Sequence, residues 1–172
     1  MNTKIIILGF IFYKYLLDKE LQFAKKEEFS AEDIKALSED DAETTEYFKS
    51  NTGYFIAYEN LFSTWITMGK DFDVSNVRDA LSAFSRLINP VHKKLFDGVF
   101  DTLQTGLSKL GESAAAQTKA ISQLLQLIKD IPMDGKQDYD VLGLSFVLLP
   151  FFHCLISTIT CSLGDPALRP CT

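Results

Sequence analysis

A chain of 172 residues is long enough for one domain with a real hydrophobic core, and 47% hydrophobic against 23% charged residues excludes a disordered polymer. A formal charge of −6 argues against a surface that grips nucleic acid throughout by neutralising phosphates. That charge is uneven: Asp18 to Glu46 hold eleven acids and four lysines, so any contact with DNA is expected after Glu46.

Residues 5–17, IIILGFIFYKYLL, are apolar on every side of a helical wheel, which places the helix either in a packed interior or in a membrane. The uninterrupted run is shorter than the ~20 residues a span needs, so burial is expected. Lys4 precedes it, but Tyr13 and Lys14 follow and no small-residue cleavage site does, so it does not read as a signal peptide. Ser30 and Ser38 each precede an acidic, helix-favouring stretch, with Asp33 and Asp41 three positions on, a relative of the capping box. Two short acidic helices follow from that, read as a solvated face.

The stretch 53–66, GYFIAYENLFSTWI, is dense in aromatics without a clean period, and is expected to begin extended and end helical. Tyr54, Phe55, Tyr58, Phe62 and Trp65 could stack bases, but no basic residue interleaves with them, so core packing is the reading. From Ser75 to Asn89, Val77, Leu81, Phe84 and Ile88 fall on one narrow helical arc that faces the core. Asn89 then caps a helix that opens on Pro90 and carries Val91, Leu95, Val99 and Leu103 inward, with Gly106 and Gly111 weakening or ending it. Ser113 caps the next, whose Ile121, Leu124, Leu125 and Ile128 form another apolar stripe and which Pro132 and Gly135 terminate. The fold class is therefore mainly α, a helical domain of about six helices with little or no sheet.

Beyond the buried stripe of the 75–89 helix lie Arg78 and Arg86, and after the turn Lys93 and Lys94. These four are the candidate contact surface for a polyanion such as DNA or for an acidic partner, and the same four would equally make a solvated helix face.

Residues 141–163 hold no Asp, Glu, Lys or Arg and are long enough for a transmembrane candidate. Pro150 and His153 near the middle, and the lack of basic flanks, weigh against a span. Cys154, Cys161 and Cys171 all lie in the last twenty residues, unlike a disulfide scaffold, which points to a reducing cytoplasm.

Motifs for chemistry are missing from the sequence. It has no P-loop and no G-x-G-x-x-G, and His92 and His153 have no metal-ligand spacing with cysteines or acids. No nucleophile elbow occurs, and Asp134 and Asp138 are wrongly spaced for a calcium loop. No catalytic, cofactor-binding or metal-binding residue is assigned.

ILGFIFYKYL at 7–16, GYFIAYENLFSTWI at 53–66, KDFDVSNVRDALSAFSRLI at 70–88, LQTGLSKLGESAAAQTKAISQLLQLIKDI at 103–131 and PMDGKQDYDVLG at 132–143 resemble, in order and spacing, the N-terminal helical domain of the methylation (M) subunit of type I restriction-modification systems. The resemblance implies a domain at 1–143 and a divergent uncharged tail at 144–172. It implies a helical module that helps close a complex around double-stranded DNA, with a specificity subunit and other methylation and restriction subunits as partners. In the intact family a following domain binds S-adenosylmethionine and methylates adenine on a flipped-out base. The family's Asn-Pro-Pro-Phe or Asn-Pro-Pro-Tyr signature and its Gly-rich cofactor loop do not occur in these residues. The expectation is thus a truncated reading frame with an out-of-frame tail, inactive by itself and without a cofactor. The competing expectation is a small membrane-associated or non-functional truncated protein anchored by residues 141–163.

Overall fold

A computed structural model describes residues 3–96, 98–131 and 133. Its first element, α1 (Thr3–Lys26), is longer than the apolar run that nucleates it. Ile6, Ile7, Phe10, Ile11, Tyr13, Leu16 and Leu17 are buried, as predicted, whereas Ile5 and Leu8 face outward. The buried arc then continues through Glu20 and Ala24 at helical spacing. Lys25 and Lys26 close the last turn, where positive charge suits the helix dipole.

Short helices α2 (Ala31–Lys35) and α3 (Ala42–Thr52) follow in the acidic region. Ser30 caps α2 as expected, in a reciprocal box with Asp33. Ser38 does not cap α3. Its hydroxyl accepts from Asp40 N–H in a turn, and Asp41 is the cap, accepting from Thr44 N–H. Leu37, just before that turn, is buried in the smaller core cluster.

Gly53 ends α3 at φ +93°, a left-handed conformation that glycine adopts without strain. Residues 54–57 are then extended, with Tyr54 bridged antiparallel to Ile88, and a 3-10 turn (Tyr58–Asn60) leads into α4 (Phe62–Met68). The stretch is core, as predicted: Tyr54, Phe55, Phe62 and Trp65 are buried and Tyr58 is half-buried.

A second 3-10 turn (Gly69–Asp71) precedes α5 (Val74–Leu87), whose Val77, Leu81 and Phe84 are buried together with Ile88 just beyond its end. After it the sequence expectation fails. Asn89 Oδ1 does accept from Val91 N–H, but only a turn and the four-residue α6 (Lys93–Phe96) follow. Gly98 stands at φ +85°, and α7 (Val99–Leu107) starts just after it. Leu103 is buried, as predicted, together with Phe100 and Leu107, while Val91 is 82% and Val99 37% exposed. The side chain of Leu95 lies outside the described residues. Gly106 sits within α7 and does not end it.

Helix α8 (Ala114–Ile128) begins at Ser113, which caps it by accepting from Ala116 N–H, and buries Ile121, Leu124, Leu125 and Ile128, all as predicted. Eight α-helices and two 3-10 turns thus make up the described residues, with one isolated bridge and no strand ladder among them. Pro132, Gly135 and residues 141–163 lie outside the described residues. No helix among the described residues is long and apolar enough to cross a membrane.

The main core is aromatic. Tyr13 stacks on Trp65 and meets Phe84 and Phe100 edge-on, so α1, α4, α5 and α7 converge on one ring cluster. Gly9 lets α7 approach α1, because a Cβ there would lie 3.1 Å from Leu103 Cδ1. A smaller cluster of Ala24, Leu37, Phe48, Phe55 and Ala57 joins the end of α1 to the acidic helices.

Candidate functional site

The four basic side chains named from sequence lie on or just after α5, and the structure gives them three different environments. Asp73 starts α5 with a capping box, accepting from Ser75 N–H while Asn76 accepts from Asp73 N–H. These bonds, to Ser75 above all, hold the Asp73 carboxyl below its usual range, with Thr118 and Arg78 adding to them. One turn on, Arg78 is half-buried and donates to Gln117 Oε1 at 2.9 Å. Gln117 in turn donates to Gly111 O at 2.9 Å, and Thr118 Oγ1 accepts from Val74 N–H at 3.0 Å. Arg78 therefore belongs to the joint between α5 and α8.

Arg86 stands eight residues further, roughly 12 Å along the helix axis. It is exposed and donates to both oxygens of Glu39, at 3.2 and 3.1 Å, from the turn before α3. Exposed pairs of this kind contribute about 0–1 kcal/mol, so the contact orients Arg86 without burying it.

Lys93 and Lys94 occupy α6, are exposed, and take part in none of the described ion pairs. Lys93 and Ser85 line one small hollow, so α6 lies beside the last turns of α5. The position of α6 is fixed from the other side by residues 53–55. Asn89 N–H donates to Gly53 O at 2.8 Å, Phe55 N–H donates to Leu87 O at 3.2 Å, and the Asn89 side chain donates to Lys49 O at 3.3 Å. The His92 ring lies against Gly53, close enough that a Cβ there would sit 3.0 Å from Cδ2. His92 is thus an exposed packing residue.

The hollow beside Lys93 is about 30 Å³, room for a water and too small for a substrate. A wider one of about 370 Å³ lies among Glu27, Glu28, Asp33 and Asp41. Asp41 is occupied there as the cap of α3 and Asp33 as the partner of the Ser30 cap, and hydrogen bonds from Ser30 and from Thr44 hold their carboxyls below the usual range. No group of three or more His, Cys, Asp or Glu among the described residues could hold a metal ion. Of the four basic side chains, Arg86, Lys93 and Lys94 are exposed and Arg78 is half-buried.

Two residues that pair with this surface, and one buried acid in the core, were not read from sequence. Glu39 and Gln117, the partners of Arg86 and Arg78, lie 47 and 39 residues away along the chain, and no local pattern links them. Glu20 did leave a signal. Tyr13, Leu16, Leu17, Glu20 and Ala24 continue one helical arc, so a helix drawn past residue 17 carries a carboxyl into the core. Glu20 is fully buried, with Oε1 accepting from Ile56 N–H at 3.1 Å and Oε2 without a partner. Burial pushes its carboxyl well above the usual carboxylate range, against the lowering effect of the Ile56 bond.

Comparison with known proteins adds one match. The family model of the HsdM N-terminal domain matches residues 1–128. The chain belongs to this family, the N-terminal domain of the methylation subunit of type I restriction-modification systems. No curated protein and no solved structure gave a significant match.

Proposed function

We propose that this HsdM N-terminal domain is a helical assembly and DNA-positioning module of a type I restriction-modification adenine methyltransferase, acting in the cytoplasm. The observation that carries the reading is the family match over residues 1–128, which spans α1 to the end of α8. The module packs within a complex of methylation, specificity and restriction subunits and meets double-stranded DNA through that complex. Methyl transfer and S-adenosylmethionine belong to the family's catalytic domain, and target choice belongs to the specificity subunit. What the present residues add is shape and charge: a rigid aromatic core and, at one end of α5, Arg86, Lys93 and Lys94 turned to solvent.

Cations placed this way neutralise phosphates or acidic partner residues and fix register without reading bases. The acidic region from Asp18 to Glu46 repels phosphate, and Glu39 within it pairs with Arg86, so Lys93 and Lys94 are the cations offered to DNA without an ion-pair partner among the described pairs.

The test uses an intact methylation subunit carrying this domain, assembled with its specificity subunit. Replacing Lys93 and Lys94 by glutamine should weaken binding equally on all DNA targets and lower the salt-dependence slope by about 2, one for each lost phosphate contact. An unchanged slope with normal assembly would overturn the DNA contact.

A further inference from the structure

We propose that Glu20 is a proton-dependent clasp: as a neutral acid it lets α1 hold residues 53–57, and with them the turn that carries Lys93 and Lys94, and on ionisation it loosens that junction.

The geometry leaves the carboxyl little else to do. Glu20 is at 0% exposure, Oε1 has a single donor in Ile56 N–H at 3.1 Å, and Oε2 has none. The titratable groups facing it are Tyr13 from α1 and Tyr54 from the extended segment. Both phenols are buried and their hydroxyls are committed elsewhere, Tyr13 donating to Asn60 O at 3.1 Å and Tyr54 to Leu16 O at 2.8 Å. The lysine nearest in sequence on the inner side of α1, Lys14, is paired with Asp18, and Glu20 is in none of the described ion pairs. A carboxylate with one donor, among apolar side chains and two neutral phenols, is far more costly to bury than the neutral acid. Its charge also opposes ionisation of both tyrosines, whose own burial already pushes them up.

The clasp reaches the basic turn through consecutive backbone bonds. Ile56 is held by Glu20; Phe55 N–H donates to Leu87 O; Asn89 N–H donates to Gly53 O. Residues 53–56 are thus shared between α1 on one side and the α5–α6 turn on the other. The inference concerns placement of that turn and stands whether or not the lysines meet DNA.

The sign follows from linkage. The folded value lies above that of the unfolded chain, so the Glu20 contribution is fully present below the ordinary carboxylate range and is lost as pH rises through the folded value.

Two measurements on the full 172-residue chain test this. With carbon-labelled glutamate, the Glu20 carboxyl resonance, assigned by its loss in Glu20→Gln, should titrate well above the other glutamates. Amide hydrogen exchange, corrected for its intrinsic pH dependence, should show protection at Ile56 and Asn89 falling by up to about tenfold per pH unit from the ordinary carboxylate range up to that midpoint and levelling off above it, relative to the amide of Leu125 in α8. In Glu20→Gln, which keeps the acceptor for Ile56 and cannot ionise, the relative protection should be flat. A Glu20 carboxyl titrating with the other glutamates, or wild-type protection at Ile56 and Asn89 that keeps pace with Leu125 across the range, would overturn the clasp, and both readings come from the wild-type chain.

Discussion

The Tyr13 ring and the Trp65 indole lie parallel and offset, 5.8 Å between centroids and 2° between planes, with both side chains buried. The pair locks α1 to α4, and Phe62, Phe84 and Phe100 close around Tyr13. Trp65→Ala should therefore destabilise the domain by about 3–5 kcal/mol, the usual cost of removing a large buried aromatic. Tyr13→Phe keeps the stack but removes the donor to Asn60 O, and should cost about 1–3 kcal/mol. Denaturant melts followed by far-ultraviolet circular dichroism would measure both, and equal stability of Trp65→Ala and wild type would show that the cluster is not the core.

Helix phase supplies a second test. Phe84→Ala should cost about 3–5 kcal/mol and Leu81→Ala about 2–5, whereas Val99→Ala and Val91→Ala should each stay within about 0.5–1 kcal/mol. The valines were expected inside because a single helix was drawn from Pro90 past Leu103. Gly98 at φ +85° separates α6 from α7, where Phe100 is buried beside the predicted Leu103 and Val99 is 37% exposed. Thermal melts of the four variants would decide, and a large loss for Val99→Ala with none for Phe84→Ala would reverse the assignment.

What was legible in the sequence was what repeats locally. The stripe of Val77, Leu81 and Phe84, the stripe of Ile121 to Ile128, and the caps Ser30 and Ser113 each rest on residues within a turn or two of one another, and each holds. Ser38 and the helix after Pro90 failed for one reason. A left-handed glycine or a short turn shifts an element by a few residues without disturbing the average pattern around it. The basic surface was legible as residues and not as an arrangement, because Arg78 and Arg86 are sorted by Gln117 and Glu39, which only the tertiary fold brings near.

Gly53 meets two demands at once. It caps α3 at φ +93°, and a Cβ there would lie 3.0 Å from His92 Cδ2. Gly53→Ala should therefore cost on the order of 1–2 kcal/mol, from left-handed strain of about 1 or more together with displacement of the imidazole. Adding His92→Ala should recover the packing part and leave the backbone part. Additive losses in the double variant would mean that the ring does not press on Gly53.

Acid should weaken the start of α5. Hydrogen bonds from Ser75, with Thr118 and Arg78 nearby, hold the Asp73 carboxyl below 3.8, so its contribution is present above the unfolded value and lost as pH falls through the folded one. Asp73→Asn should be less stable near neutrality and lose less than wild type on the way to acid. Chemical denaturation at a series of pH values would show the two stability curves converging, and parallel curves would remove Asp73 from the account.

The sharpest separation concerns the two arginines of α5. Arg78 is half-buried and bridges to Gln117, so Arg78→Ala should cost about 1–2 kcal/mol and loosen α8. Arg86 holds only the exposed Glu39, so Arg86→Ala should cost less than about 1 kcal/mol. Replacing both arginines together would therefore mix a folding defect with a binding defect. Arg86→Ala alone, in an intact methylation subunit carrying this domain, should lower DNA affinity on every target alike and reduce the salt slope by about 1. Glu39→Gln should act in the opposite direction, since it frees Arg86 and removes a charge that repels phosphate. Hydrogen exchange at Leu124 and Leu125 gives the folding control, unchanged protection being expected for Arg86→Ala and faster exchange for Arg78→Ala. If Arg86→Ala left the slope unchanged while Arg78→Ala lowered it with α8 intact, the phosphate contact would belong to the other end of the helix, beside Gln117.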